Sequence, residues 1–212
     1  MAHSLLAGFA LGAAAMAAVA PVQAGFGWIR VERATGPSAA PPASRALGAV
    51  LLVAAAALAE EWLFRGLLLS FLRGYVGSAA AIAVSSLLFG LAHLPNARLG
   101  ASQATVPLQQ ATGFVTACVS GWAFSAMVLR TGGLSMAVGA HLAWNLVQWP
   151  VLGFPLYAAS RLEPLLVGLL PPHWRVRPAG PWWWSGGVYG AEASILAVLA
   201  WLALALGIGI AS

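Results

Sequence analysis

The sequence predicts an all-α protein: a polytopic transmembrane bundle of about seven helices forming a single membrane domain over residues 1–212. Three observations carry that expectation. The chain is 61% hydrophobic and only 7% charged, against about 25% charged residues in an ordinary soluble domain. Seven apolar segments can be drawn, near 4–24, 46–72, 78–94, 107–130, 133–151, 154–170 and 188–211. Polar linkers rich in proline, alanine and glycine separate them, and no soluble appendage is visible.

The segment at 4–24 is expected to be the first transmembrane helix. "VQA" at 22–24 offers a signal-peptidase site, but "MAHS" lacks the positive start of a signal peptide. After the linker "RVERATGPSAAPPASR", the second segment contains "EEWLFRG" at 60–66. The third ends in "FGLAHLP", and the fifth carries "HLAWN" at 141–145. The sixth bears Arg161 and Glu163 and reads as partly interfacial. "PPHWRVRPAGPWWWSGG" precedes the last and reads as an aromatic belt with arginine anchors rather than a substrate gate. No internal repeat marks a transporter of duplicated halves.

All ten basic residues are arginine, and lysine and aspartate are absent. With abundant Ala, Gly and Pro, this is the signature of GC-rich coding and points to a bacterial plasma (inner) membrane. The net charge of +5 is spread over single arginines. That suits orientation and headgroup contact, not nucleic acid, which needs a clustered basic face. Cys118 stands alone, which excludes an intrachain disulfide and a cysteine-based zinc site. Alternating crossings put Arg30, Arg33, Arg45, Arg98 and Arg161 on one side, against Arg73, Arg130, Arg175 and Arg177 on the other. The first side is therefore expected to be cytoplasmic.

Ionisable groups inside a bilayer are costly and mark function by default. Here they are Glu60, Glu61, Arg65, His93, His141 and the amide Asn145. Glu61 and Arg65, four apart, share a helix face and can form an ion pair. Glu60 lies about 140° from Arg65 around the helix, which leaves one carboxylate over. The bland alternative is a structural ion cluster, although Ser or Asn would make such glue at less cost. His93, near a helix end, would alone read as bonded to a backbone carbonyl or snorkelling. His141 and Asn145 share a face, whereas Trp144 lies off it and reads as packing. From alternating crossings, Glu60 lies about 20 Å from its helix start, with His93 about 8 Å and His141 and Asn145 about 12–18 Å from the same side. Three helices thus place polar groups in one slab.

A carboxylate and a histidine can hold and deprotonate water, and a second histidine with an amide can donate to an oxyanion. That set suits hydrolysis without a covalent intermediate, and no GxSxG occurs. The alternative is zinc on Glu60, His93 and His141, although HExxH is missing. "EEWLFR", "FGLAH" and "HLAWN" resemble the three motifs of the CPBP family of membrane proteases, EExxxR, FxxxH and HxxxN, in the family's order. That family includes the CAAX prenyl endopeptidase and bacteriocin-processing or immunity proteins. The resemblance covers roughly residues 46–150, and "GGVYGAEAS" resembles the family's glycine-rich entry to its last helix.

What the resemblance implies is an intramembrane endopeptidase. In it Glu60 and His93 activate water, His141 and Asn145 form the oxyanion hole, and Glu61 and Arg65 support the first motif. Members of the family have been labelled metalloproteases, but the glutamate-base mechanism fits this residue set better than zinc, so no cofactor is expected. The expected partners are the lipid bilayer and a peptide or membrane-protein substrate, with the site opening toward the cytoplasm. A proton-coupled transporter would need a polar path across the bundle, and a non-catalytic scaffold would have no use for the complete motif set. Glu192 could reach the site, although it is expected rather to complement the start of the final helix.

Overall fold

The computed structural model describes residues 1–33, 42–94, 106–156 and 174–210. They are mostly helical: α1 Ala2–Gly25, α2 Ala43–Glu61, α3 Ser70–His93, α4 Val106–Thr131, α5 Ser135–Leu146, a short α6 Trp182–Ser185 and α7 Ile195–Ile210. Ala2–Gly25, the continuous run Ala43–His93 and Val106–Thr131 are long and apolar enough to cross a membrane, and Ile195–Gly209 is a shorter apolar helix.

The run Ala43–His93 is two arms, not one rod. Gly77 has φ +76° and ψ 170°, a backbone state that side chains with a Cβ avoid, and the chain turns back there. Beyond the turn, Ser85 Oγ donates to the Phe64 carbonyl at 2.9 Å, and the Phe64 and Phe89 rings meet edge to face at 5.1 Å. The segments expected at 46–72 and 78–94 are therefore the arms of one antiparallel hairpin. Its first arm widens between Trp62 and Leu69 into a π-helical stretch, which the regular helix expected there did not include. Such stretches leave backbone carbonyls short of partners. Here Ser85 serves the Phe64 carbonyl, and Ser70 Oγ serves that of Arg65 at 3.3 Å.

The expected count of about seven helices is not reached among the described residues, where six helical arms pack together. The segment expected at 154–170 lies largely outside them. Its described flanks are joined, the Val176 amide donating to the Gly153 carbonyl at 3.1 Å.

The all-α expectation also needs a correction. β1 Ile29–Arg33 and β2 Trp174–Pro178 form a two-stranded antiparallel sheet, with Val31 opposite Val176 and Arg30 opposite Arg177. Alternation of apolar and charged residues in "IRVER" and "WRVRP" favours a strand with one covered face. This pairing also corrects the arginine count. Arg175 and Arg177 stand beside Arg30 and Arg33, not on the opposite side. The two-stranded sheet, the start of α2 and the end of α5 share one end of the bundle, since Ala49 and Val53 of α2 cluster with Trp149 and Leu156 and Val176 bonds to Gly153. Arg30, Arg33, Arg45, Arg175 and Arg177 gather at this end, against Arg73 and Arg130 at the other.

The core sits where α1, α4, α5 and α7 meet, around Met16, Phe124, Met127, Trp144 and Trp201. α1 lies parallel to α5: a Cβ on Gly8 would strike the Met136 carbonyl, and one on Gly12 the Ala140 carbonyl. This G-x-x-x-G spacing lets two backbones approach closely without the hydrophobic driving force available in water. Gly12→Leu should lower the detergent melting temperature, at a cost of about 1–3 kcal/mol for the overpacking. A wild-type melting temperature would mean that these helices are not in close contact.

Candidate active site

The polar residues singled out in the sequence come from three helices. Glu60 and Glu61 end α2, His93 ends α3, and His141 and Asn145 lie in α5. Glu61 and Arg65 are fully buried and paired, with Nη1 3.2 Å from Oε1. The guanidinium lies among aromatic rings, 4.1 Å from the Phe89 centroid and 5.2 Å from that of Phe124. Its Nε and Nη2 have no hydrogen-bond acceptor, so the ring faces supply the remaining electrostatic compensation. Gly121 makes room for it, since a Cβ there would stand 3.0 Å from Nη2.

Glu61 also binds His141, a contact that sequence reasoning missed. His141 Nδ1 lies 2.9 Å from Glu61 Oε1. A carboxylate oxygen accepts, so Nδ1 carries the hydrogen and Nε2 points away. His93 is held in the same manner, with Nδ1 2.7 Å from the Phe89 carbonyl. That is the backbone contact anticipated for an isolated histidine, and here it sets the tautomer. Phe124 stacks on the His141 ring at 5.1 Å, and Phe89 tilts against His93 at 4.4 Å.

Both Nε2 atoms face Glu60. Its Oε2 is 3.9 Å from that of His93 and 3.8 Å from that of His141. The Glu60 side chain is 34% exposed, yet Oε2 itself is buried and has no hydrogen-bond partner. Direct hydrogen bonds would need about 2.7–3.2 Å, so the three atoms surround a gap rather than close it. Tetrahedral zinc with ligands at about 2.1 Å would bring those atoms to roughly 3.4 Å of one another. Among the described residues no group of three or more His, Cys, Asp or Glu is disposed to hold a metal ion.

Behind the histidines lies a cavity of about 40 Å³, room for one or two waters. His93, His141, Asn145, Trp144 and Glu192 are among its walls. Two expectations change here. Glu192 does not simply stand at the start of the last helix, because the turn Ala191–Ala193 carries it to the cavity. That turn follows Gly190, whose φ of +73° allows the chain to pass close to Pro155. Trp144 is buried as packing, against Trp201 at 4.9 Å, but its Nε1 also donates to Glu192 Oε1 at 3.3 Å. The one sequence signal for Glu192 was the scarcity of carboxylates, five in the whole chain. Trp184, from the aromatic run, stacks on Trp28 at 4.8 Å.

The residues that converge here all lie, except Glu192, in the stretch that a comparison with known families picks out. The profile of the type II CAAX prenyl endopeptidase Rce1-like family matches residues 42–147, half of the chain. No curated protein and no solved structure matches the chain. The three motifs and the profile that spans them agree: this chain belongs to the Rce1-like family of membrane endopeptidases.

Proposed function

We propose that the protein is an intramembrane endopeptidase that hydrolyses a peptide bond with water activated by Glu60 and His93 and an oxyanion hole of His141 and Asn145. The observation that carries this reading is the unpartnered Glu60 Oε2, facing two imidazole nitrogens at 3.8 and 3.9 Å. A water in that gap donates one hydrogen to Glu60 and the other to His93 Nε2, a lone-pair acceptor because Nδ1 is spent on Phe89. As the water oxygen bonds to the substrate carbonyl carbon, Glu60 takes its proton. When the tetrahedral species collapses, the carbon–nitrogen bond breaks and that proton passes to the leaving amine. The Asn145 amide donates to the oxyanion, and His141 does so from Nε2 when that nitrogen also holds a proton.

The substrate class is a peptide or membrane protein reaching the site from the arginine-rich end. Five described arginines there, against two at the other end, support a cytoplasmic opening, in a multi-pass protein of a bacterial plasma membrane.

The test is cleavage of a tagged membrane substrate by the purified chain, wild type beside Glu60→Gln. The reading requires no metal. Cleavage should persist after treatment with a zinc chelator, and loss restored by stoichiometric zinc would overturn the glutamate-base mechanism.

A further inference from the structure

At the arginine-rich end, away from the three motifs, the two-stranded sheet covers an apolar groove of about 510 Å³, within the size range of small-molecule sites. Ala17, Ala20 and Ala24 of α1 line one side, and Phe154 with Val31 and Trp174 of the sheet lines the other. The sheet is amphipathic. Alternation along the strands puts Ile29, Val31, Trp174 and Val176 on the groove face and Arg30, Arg175 and Arg177 with Glu32 on the other. Arg177 is paired with Glu32 at 2.7 Å. Among the described residues Arg30, Arg33 and Arg175 make no ion pair, and Arg30 stands directly across from Arg177, a like-charge pairing that costs stability unless an anion relieves it. Arg33 is exposed and has the parity of Val31, so it stands at the mouth of the groove opposite Trp174.

An apolar slot with unpaired arginines at its rim is complementary to an anionic amphiphile. We propose that the groove beneath the two-stranded sheet binds one acyl chain of an anionic phospholipid, whose phosphate is held by Arg33 with Arg30 and Arg175 adding positive potential. Arginine matches phosphate geometry with paired donors, and exposed Trp174 suits the interface between headgroups and chains. The site is distinct from the gap at Glu60 and the cavity behind the histidines, and its occupancy does not depend on peptide-bond cleavage.

Native mass spectrometry of the delipidated full chain, titrated with phosphatidylglycerol or phosphatidylcholine of matched chains, tests this. One phosphatidylglycerol should be retained about tenfold more tightly than phosphatidylcholine, because both offer a phosphate but the cationic choline is repelled by the same arginines. Arg33→Gln should erase that preference. Ala17→Trp, an exposed groove position, should weaken binding of both lipids by filling the slot. Neither change touches the core, so melting temperatures should stay at wild type. Equal retention of the two lipids, displacement of phosphatidylglycerol by glycerol phosphate alone, or indifference to Ala17→Trp would each overturn the proposal. So would recovery of a peptide in place of lipid from the groove.

Discussion

Glu60→Gln should abolish cleavage, with a rate loss of at least about 10²–10⁴, and leave the detergent melting temperature within a few degrees of wild type. Glutamine keeps the shape of the side chain but cannot accept the water proton. The stability half of the prediction rests on what Glu60 lacks. It is one-third exposed, and neither Glu60–histidine distance is short enough for a direct hydrogen bond. Removing its charge therefore strands no partner. If Glu60→Gln melted far below wild type, Glu60 would be structural and its gap with the histidines incidental.

Much of this site is legible in the sequence because the bilayer makes polar residues expensive. Six polar residues in apolar helices, at spacings of four, identify faces and approximate depth, and three of them meet around one gap. What periodicity cannot supply is the rotation of one helix against another. His141 was expected beside Asn145, and nothing in "HLAWN" says that its Nδ1 reaches Glu61 across to α2. The π-helical stretch after Glu61 was equally hidden, since its hydrogen-bond pattern has no compositional signature. The strands were visible as alternation in "IRVER" and "WRVRP" but lay in linkers read only for arginines. Counting alternate crossings put Arg175 and Arg177 opposite Arg30 and Arg33, whereas the strand pairing sets them together. One long-range pairing, Val31 with Val176, corrects both. Which of its two readings Glu192 takes was undecided for a related reason: the distance between a turn and a cavity is a tertiary fact.

The two adjacent glutamates should separate in experiment. Glu61→Gln removes the countercharge of an arginine that is wholly buried among Phe64, Phe89 and Phe124. Breaking a buried pair in this way costs about 3–5 kcal/mol, which should lower the melting temperature by roughly 10 °C and reduce yield. Arg65→Met added to Glu61→Gln removes the stranded charge and places a polarizable side chain against the same rings, so part of the stability should return. Activity should not return with it. Glu61 also accepts the His141 Nδ1 hydrogen at 2.9 Å. A neutral amide holds that ring less firmly and does not support the charge His141 carries when it donates to the oxyanion. The double variant should therefore remain slower than wild type, by up to about 10²–10³, the worth of one oxyanion donor. Melting temperature and cleavage rate measured side by side for Glu60→Gln, Glu61→Gln and the double variant decide the matter. If Glu61→Gln melts normally yet is inactive while Glu60→Gln still cuts, the base is Glu61. If the double variant regains wild-type rate with its stability, Glu61 serves only Arg65, and its contact with His141 has no part in catalysis.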